Sequence, residues 1–279
     1  ALFSMEENTG CSPFTPEIIN VSSGVSEYYW DFDDGQTSNE SGDTIYHTYV
    51  NSVSTASMYS INLIVENEFG CSHEYQQVVY VYPEVVASFI SDTAGCHPLL
   101  INFINQSYGS EYYYWVFGDG STSSIENPTH IYENTGISDL TITMGMAAES
   151  EYGCRDTMIS HITVYPQPVA EFTPNPVTQM YPASNVVLNN MTNPGPWTYH
   201  WDFDDGNTSD LSEPGYHNYT TWGTYEILLV ATSEHCADSV LHSIYINAPQ
   251  PEASFDSSAM GCPPMMLEFI NHSQYGDEA

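Results

Sequence analysis

Basic side chains are nearly absent from this sequence. Its 279 residues include a single Lys or Arg, Arg155, against 36 Asp and Glu, which gives a formal net charge of −35 at pH 7. Binding to phosphate groups requires cationic side chains that replace condensed counterions. Nucleic acids and anionic membrane surfaces are therefore excluded as partners of this segment.

Several other patterns are missing. No apolar run is long enough to cross a bilayer, so we expect no direct membrane insertion by this segment. No Cys-x-x-Cys pair occurs, which argues against zinc, and no stretch has the 3.6-residue period of an amphipathic helix. No nucleophile recurs beside a histidine, so we predict that the chain is not an enzyme and requires no cofactor.

One pattern occurs three times: an aromatic strand that ends in an Asp-Gly turn, followed by His-x-Tyr. The copies are Tyr28–Gly35 with His47 and Tyr49, Tyr114–Gly120 with His130 and Tyr132, and Tyr199–Gly206 with His217 and Tyr219. The central residues Trp30, Trp115 and Trp201 are 85 and 86 residues apart. That spacing is too long for a solenoid repeat and is about right for a small β-sandwich.

A second marker, Ala-x-Phe, sets the repeat boundaries. It begins at Ala1, Ala87, Ala170 and Ala253. We predict repeat 1 at 1–84, repeat 2 at 85–167, repeat 3 at 168–250 and the start of a truncated fourth repeat at 251–279. Because the last segment lacks the Trp motif, we expect the sequence to be a window on a longer polypeptide.

The hydrophobic pattern predicts strands throughout. In the first copy Tyr28, Trp30 and Phe32 alternate with polar residues, and the long segment after His-x-Tyr alternates in the same way. A period of two places these side chains on one sheet face, which should be the core. We predict an all-β chain of tandem sandwiches arranged end to end.

The motifs resemble the PKD domain, an immunoglobulin-like sandwich with a Trp-Asp-Phe-Gly-Asp-Gly turn followed by His-x-Tyr. Asp33 and Asp204 stand where the family has its first glycine, and Val116 replaces an aspartate. The variant with Gly-Cys-x-Pro near the start and Gly-Cys in the last hairpin is similar to repeats of large Bacteroidota surface proteins. This resemblance implies an exported adhesin, in some cases linked to gliding motility.

Six cysteines at repeat-related positions predict disulfides in an oxidising compartment. The resemblance favours pairing within a repeat, Cys11 with Cys71 and Cys96 with Cys154, which leaves Cys236 and Cys262 without a visible partner. A second scheme joins neighbouring repeats, Cys71 with Cys96 and Cys236 with Cys262, and leaves Cys154 over. Counting cysteines does not decide between the two schemes.

The acidic turns could supply oxygen ligands for calcium. The candidate ligands are Asp31, Asp33, Asp34, Asp202, Asp204 and Asp205. They lack the distal bidentate Glu of an EF-hand, and the alternative is that each aspartate accepts backbone N–H groups in a tight turn. The repeated histidines should be packed structural residues bonded to the backbone or to the turn aspartate.

Two other groups have a functional and a structural interpretation. Outward-facing Tyr29, Tyr112 and Tyr114 could stack on sugars, although aromatic residues also favour any strand. Asn-x-Ser/Thr sequences at Asn20, Asn105, Asn190 and Asn271 could accept glycans or could simply build the turn after the second strand.

The leading functional expectation is a secreted or cell-surface structural protein. The repeats would form the shaft of an adhesin or filament and present a distal binding element to other surface proteins, glycans or further copies of the chain. One alternative is an accessory carbohydrate- or protein-binding region of a secreted hydrolase. Another is a fibre that assembles by strand donation.

Overall fold

Strands are the regular elements throughout residues 1–257 and 268–274, which the computed structural model describes. Within those residues no helix is long and apolar enough to cross a membrane. The predicted all-β class is confirmed.

The first sandwich is built from strands β1 to β8. Their bounds are β1 Phe3–Met5, β2 Thr9–Cys11, β3 Glu17–Asn20, β4 Glu27–Asp31, β5 Thr37–Ser38, β6 Thr44–Tyr46, β7 Ser57–Glu66 and β8 Ser72–Tyr82. One sheet has the order β1-β3-β6 and the facing sheet has the order β2-β8-β7-β4-β5. Strand β2 runs parallel to the end of β8, with Cys11 opposite Tyr82.

The second sandwich repeats this order. Its strands are β9 Phe89–Ile90, β10 Ala94–Cys96, β11 Leu99–Asn102, β12 Ile104–Asn105, β13 Tyr112–Val116, β14 Thr122–Ser123, β15 Thr129–Tyr132, β16 Leu140–Glu149 and β17 Arg155–Tyr165. The five-stranded sheet is β10-β17-β16-β13-β14, and β11 pairs with β15 and β12 with β9. Strands β11 and β12 are separated at Phe103, whose N–H donates to Pro128 O outside the ladders.

The third sandwich has the same two sheets. Its strands are β18 Phe172–Asn175, β19 Thr178–Met180, β20 Asn185–Asn190, β21 Thr198–Asp202, β22 Thr208–Ser209, β23 Gly215–Asn218, β24 Gly223–Thr232 and β25 Ala237–Asn247. The sheet orders are β18-β20-β23 and β19-β25-β24-β21-β22. Beyond it, β26 Phe255–Ser257 pairs with β27 Phe269–Asn271.

The tryptophan of each copy lies at the centre of a sandwich core. Trp30, Trp115 and Trp201 are fully buried. Each indole N–H donates to a backbone carbonyl ten residues further on, at Glu40, Ile125 and Leu211, over 2.9–3.0 Å. A buried indole needs such an acceptor. The expected inward orientation of the aromatic strand is confirmed.

Contacts divide the chain into two compact units. The first consists of Ala1–Ala94, Leu99–Tyr132 and Thr141–Thr163, and the second of Gly95–Pro98, Glu133–Leu140 and the chain from Val164 onward. The first unit holds the whole first sandwich and most of the second, and the second unit holds the third sandwich. The expected boundaries at 84, 167 and 250 stay a prediction.

Candidate functional site

The histidine of each copy lies in a stack of aromatic rings beside the Asp-Gly turn. In repeat 1 the His47 ring is parallel to that of Phe32, with centroids 3.9 Å apart, and meets Tyr49 edge-on at 4.7 Å. His47 Nε2 lies 2.8 Å from Asp34 Oδ2. The same groups recur as Phe117, His130, Tyr132 and Asp119, and as Phe203, His217, Tyr219 and Asp205.

In these clusters, hydrogen bonds stabilise the ionised form of the turn aspartate. Burial opposes ionisation of Asp119, but hydrogen bonds from Ser121 and His130 outweigh it and lower the pKa of that carboxyl to about 2. The pKa of Asp205 is also lowered, since hydrogen bonds from His217 and Asn207 again outweigh burial. Burial raises the pKa of Tyr132. The prediction that the histidines are packed and bonded to the turn aspartate is confirmed.

The aspartates proposed as calcium ligands accept backbone hydrogen bonds. Asp31 Oδ1 accepts from Asp33 N and Asp33 Oδ2 accepts from Ser60 N, both at 3.0 Å, and Asp34 Oδ1 accepts from Gln36 N at 3.0 Å. Asp202, Asp204 and Asp205 make the equivalent bonds in repeat 3. Among the described residues, no group of three or more His, Cys, Asp or Glu is placed to hold a metal ion. Calcium binding at these turns stays a prediction.

The position that the family fills with glycine has a left-handed backbone in every copy. Asp33 and Asp204 have φ of 61°, and Gly118 has φ of 86°. Aspartate tolerates this region better than most residues because its short side chain bonds locally. A Cβ on Gly118 would lie 2.2 Å from Thr143 O, so repeat 2 has no room for a side chain here.

The outward tyrosines line shallow grooves on the five-stranded sheets. Tyr112 and Tyr114 are exposed, as expected, and border a cavity of about 310 Å³ with Glu149 and Arg155. Arg155 Nη2 lies 2.8 Å from Glu149 Oε2. In repeat 1 the equivalent cavity, of about 450 Å³, includes Tyr29. These grooves combine aromatic faces with polar groups.

The Asn-x-Ser/Thr sequences form turns. Each asparagine Oδ1 accepts the backbone N–H two residues later, over 2.9–3.1 Å; the asparagines are Asn20, Asn105, Asn190 and Asn271. The turn role of these sequences is therefore confirmed, and glycan attachment stays a prediction.

The disulfides join consecutive repeats, and both predicted pairing schemes are wrong. Cys11 bonds to Cys154 with Cα atoms 5.6 Å apart, and Cys96 bonds to Cys236 with Cα atoms 5.9 Å apart. Among the described residues Cys71 is the free cysteine, and it is exposed. Cys262 lies outside the described residues.

The predicted pairs Cys11–Cys71 and Cys96–Cys154 fail because their members lie at opposite ends of a long strand. Cys11 is opposite Tyr82, the last residue of β8, whereas Cys71 immediately precedes the first. Eleven extended residues separate the two ends by roughly 33 Å, far beyond the 7 Å limit for a disulfide. The rival pairs Cys71–Cys96 and Cys236–Cys262 fail because Cys96 and Cys236 bond to each other.

An aromatic stack accompanies each disulfide. Tyr82, beside Cys11, stacks on Tyr152, two residues before Cys154, with ring centroids 4.6 Å apart. We call these four residues the first junction, and all of them belong to the first compact unit. Sequence reasoning missed this stack, although a tyrosine directly before the joint proline was visible.

The second junction is the equivalent set in the second compact unit, Cys96, Tyr165, His235 and Cys236. Tyr165 stacks on His235 with ring centroids 3.9 Å apart. Ser233 Oγ also donates to Pro166 O over 3.2 Å. Each junction therefore combines a disulfide with a ring stack. One side is the early cysteine and the last-strand tyrosine of one repeat, and the other side is the last hairpin of the next repeat.

We call Cys11 with Tyr82, and Cys96 with Tyr165, the Cys–Tyr ends of repeats 1 and 2. A buried asparagine supports each. Asn51 Nδ2 donates to Val81 O over 2.7 Å, and its backbone N–H donates to Ser12 Oγ over 2.9 Å.

Asn134 supports the second Cys–Tyr end. Its Nδ2 donates to Val164 O over 2.7 Å and its backbone N–H donates to His97 Nδ1 over 3.0 Å. The signal for both residues was an asparagine two positions after His-x-Tyr, and sequence reasoning missed it.

Repeat 3 lacks all three elements together. Met180 stands where the other repeats have the cysteine, and it pairs with Asn247 where they have the tyrosine. Thr221 replaces the buried asparagine. The end of repeat 3 therefore lacks the cysteine, the tyrosine and the supporting asparagine that repeats 1 and 2 share.

Comparisons with known proteins agree with these repeats. The model of the PKD domain family matches residues 12–82, 85–164 and 165–248. Human polycystin-1 is 25% identical over 229 residues, which cover 79% of this chain and 5% of that protein. The chain therefore spans a small part of this relative's length.

Two solved structures are among those to which the chain is similar. The PKD1 domain of Vibrio anguillarum Epp is 23% identical, with a TM-score of 0.25, and the match covers 30% of this chain and 95% of that one. The N-terminal eight Ig domains of Down syndrome cell adhesion molecule are 13% identical, with a TM-score of 0.43, over 92% of this chain and 38% of that one.

Proposed function

This chain belongs to the PKD domain family, and from that premise we propose that it is a non-catalytic structural segment of an extracellular adhesive protein. It would serve as the shaft of a surface adhesin or filament, of the kind found in Bacteroidota, and would present a distal binding element. PKD and Ig-like domains are typically non-catalytic, and disulfides fit an oxidising extracellular setting.

The observation that carries this proposal is the pairing of the disulfides. A bond within one repeat would stabilise that repeat alone, whereas Cys11–Cys154 and Cys96–Cys236 each tie one repeat to the next. Interfaces between tandem domains are usually small and permit relative motion. Covalent junctions with stacked rings serve a protein that transmits load along its length.

The net charge is compatible with this role. With a formal charge of −35, copies of the chain repel one another in solution, which favours solubility over self-association. The partners that we propose are surface proteins or glycans bound by the distal element.

The test is a replacement experiment in the full polypeptide on its own cell surface. Repeat 2 is exchanged for another disulfide-bridged PKD repeat with different surface residues but with its junction residues kept. A structural segment predicts normal adhesion after this exchange, and reduced adhesion under flow when Cys11, Cys96, Cys154 and Cys236 are all changed to serine. Loss of adhesion after the surface exchange would contradict the proposal.

A second candidate function, glycan binding as an accessory region, is favoured by the tyrosine grooves. Tyr112, Tyr114 and the Glu149–Arg155 pair offer ring faces and polar groups around one cavity. Titration of soluble oligosaccharides into the chain tests it. Binding that Tyr112→Ala with Tyr114→Ala abolishes, and that Tyr216→Ala preserves, would support this candidate; Tyr216 is a matched exposed tyrosine outside the groove.

A third candidate is fibre formation by strand donation, in which an extended segment of one copy adds to a sheet edge of another. Electron microscopy over a range of concentrations tests this candidate, and particles of one size at every concentration would contradict it.

A further inference from the structure

The hairpin between β7 and β8 carries the same two groups that form the junctions elsewhere, but here they are exposed. Phe69 is 81% exposed and stands two residues before Cys71, as Tyr152 stands before Cys154. Cys71 is exposed and free, whereas Cys154 is buried in its disulfide. The Phe69 ring and the Cys71 thiol are thus exposed side by side, without the stacked ring and the bonded cysteine found at the two junctions.

The chain enters all three repeats in the same way. The alanine of each Ala-x-Phe marker bonds through its backbone nitrogen to the side chain two positions after the hairpin cysteine. The pairs are Ala1 with His73 Nδ1 (2.7 Å), Ala87 with Asp156 Oδ2 (2.8 Å) and Ala170 with Asp238 Oδ2 (2.8 Å). Ala1 therefore occupies the position relative to Cys71 that Ala87 and Ala170 occupy relative to the bridged cysteines.

We propose that Phe69 and Cys71 form a docking surface for the Cys–Tyr end of another PKD repeat, joined to Ala1 from its N-terminal side. The incoming tyrosine stacks on Phe69, and the incoming Gly-Cys-x-Pro cysteine forms a disulfide with Cys71. This inference rests on the observed junctions and is independent of the adhesive role proposed above.

The partner is a repeat in the same polypeptide and not a described repeat of a second copy. Both described Cys–Tyr ends are already engaged, since Cys11 and Cys96 are in disulfides. In each junction the Cys–Tyr end belongs to one repeat, and the hairpin belongs to the repeat that follows it directly in sequence. Tyr82 and Tyr165 each stand five residues before the Ala-x-Phe alanine of the next repeat, Ala87 and Ala170.

These spacings define the partner. Its tyrosine stands five residues before Ala1, as Tyr82 and Tyr165 do before Ala87 and Ala170. The observed bridges span 143 and 140 residues, so its cysteine stands about 140 residues before Cys71.

The bond forms by thiol–disulfide exchange with a small-molecule disulfide such as oxidised glutathione. The Cys71 thiolate attacks one sulfur and releases one glutathione thiol, and the incoming cysteine thiolate then displaces the second. Two protein thiols lose two electrons and two protons, and one glutathione disulfide becomes two thiols.

The experiment extends the full chain with a second copy of residues 85–169 placed directly before Ala1. This addition supplies a Cys–Tyr end at the natural spacing, and its own hairpin cysteine is changed to serine. The protein is equilibrated in a glutathione redox buffer, free thiols are alkylated, and unreduced peptic peptides are identified by mass spectrometry. Pepsin is used because trypsin would cut this protein only at Arg155 and at its added copy.

The expected result is a peptide pair that links Cys71 to the added copy of Cys96, with Cys71 protected from alkylation. Phe69→Ala should require about two- to tenfold more oxidised glutathione for half-formation of this bridge, because an aromatic pair contributes a modest stabilisation. Tyr46→Ala, which removes another exposed ring of the same repeat, should leave it unchanged.

Full alkylation of Cys71 in molecules whose Cys11–Cys154 and Cys96–Cys236 bridges have formed would overturn the proposal. A Cys71 bond between two molecules, in place of the bond within one, would also overturn it. The two native bridges report that the extended chain has folded, and the addition with its Cys96 changed to serine gives the alkylation expected without a bridge.

Discussion

Removal of the two disulfides one after the other should lengthen the stretched chain by very unequal steps. The perturbation is Cys→Ser at Cys96 and Cys236, and then at Cys11 and Cys154, with Cys71 kept and Cys262 changed to serine throughout. The bridges Cys11–Cys154 and Cys96–Cys236 enclose overlapping segments of sequence. Each bridge alone already bypasses about half of the chain, and because the two enclosed segments overlap, the second bridge shortens the path only a little more.

The lengths follow from the shortest covalent path between the termini. With both bridges it runs through residues 1–11, 96–154 and 236–279, about 110 residues or ~40 nm when fully extended at ~3.6 Å per residue. With Cys11–Cys154 alone it is about 135 residues, or ~49 nm. Without bridges all 279 residues extend to about 100 nm. The first loss therefore adds ~9 nm and the second ~51 nm.

The assay is optical-tweezer stretching of the fully unfolded chain between handles at its two termini. Pairing within repeats, Cys11–Cys71 and Cys96–Cys154, gives a different pattern, since each separate loop of about 60 residues would add ~21 nm. Two equal steps would therefore refute the junction pairing. The order of removal provides an internal control, because either bridge lost first should give the same short step.

Three other perturbations test the local structure. Asn134→Ala should lower the free energy of unfolding by about 1–3 kcal/mol, because it leaves the buried carbonyl of Val164 without its donor; urea denaturation measures it, and an unchanged midpoint would contradict the assigned role. Gly118→Ala should destabilise more than Gly120→Ala in the same assay, since both have positive φ but only the first places a Cβ against a backbone oxygen. Asp119→Asn should be less stable than the wild type above about pH 4, and the gap should close as pH falls towards 2, because a lowered carboxyl pKa stabilises the fold only while the group is ionised. A gap independent of pH would contradict that assignment.

The features that the sequence predicts well are those decided within a single repeat. A period of two along one strand is enough to place Trp30 in the core, and it is fully buried. The spacing from the Asp-Gly turn to His-x-Tyr is enough to bring His47 to Asp34. Such contacts depend on strand direction and turn geometry, which local residue types determine.

The disulfide pairing depends instead on how the end of one repeat meets the next, which the strand alternation and turn motifs of a single repeat do not specify. Cys11 and Cys71 belong to one repeat and look like partners in sequence, but β8 separates them along its whole length. The decisive clues were the tyrosine before the joint proline and the asparagine after His-x-Tyr. Their role becomes apparent only when Tyr82 is seen against Tyr152.

Repeat 3 shows that the residues of the Cys–Tyr end and the residues that form the sandwich are different sets. Repeat 3 keeps the buried Trp201 and the His217–Asp205 contact, so its sandwich is complete without cysteine, tyrosine or asparagine at the junction positions. Those three residues are therefore not needed to form a sandwich. In repeats 1 and 2 they form or support the connection between repeats. This is the expected pattern if load transmission, and not the stability of single domains, is what the junction residues provide.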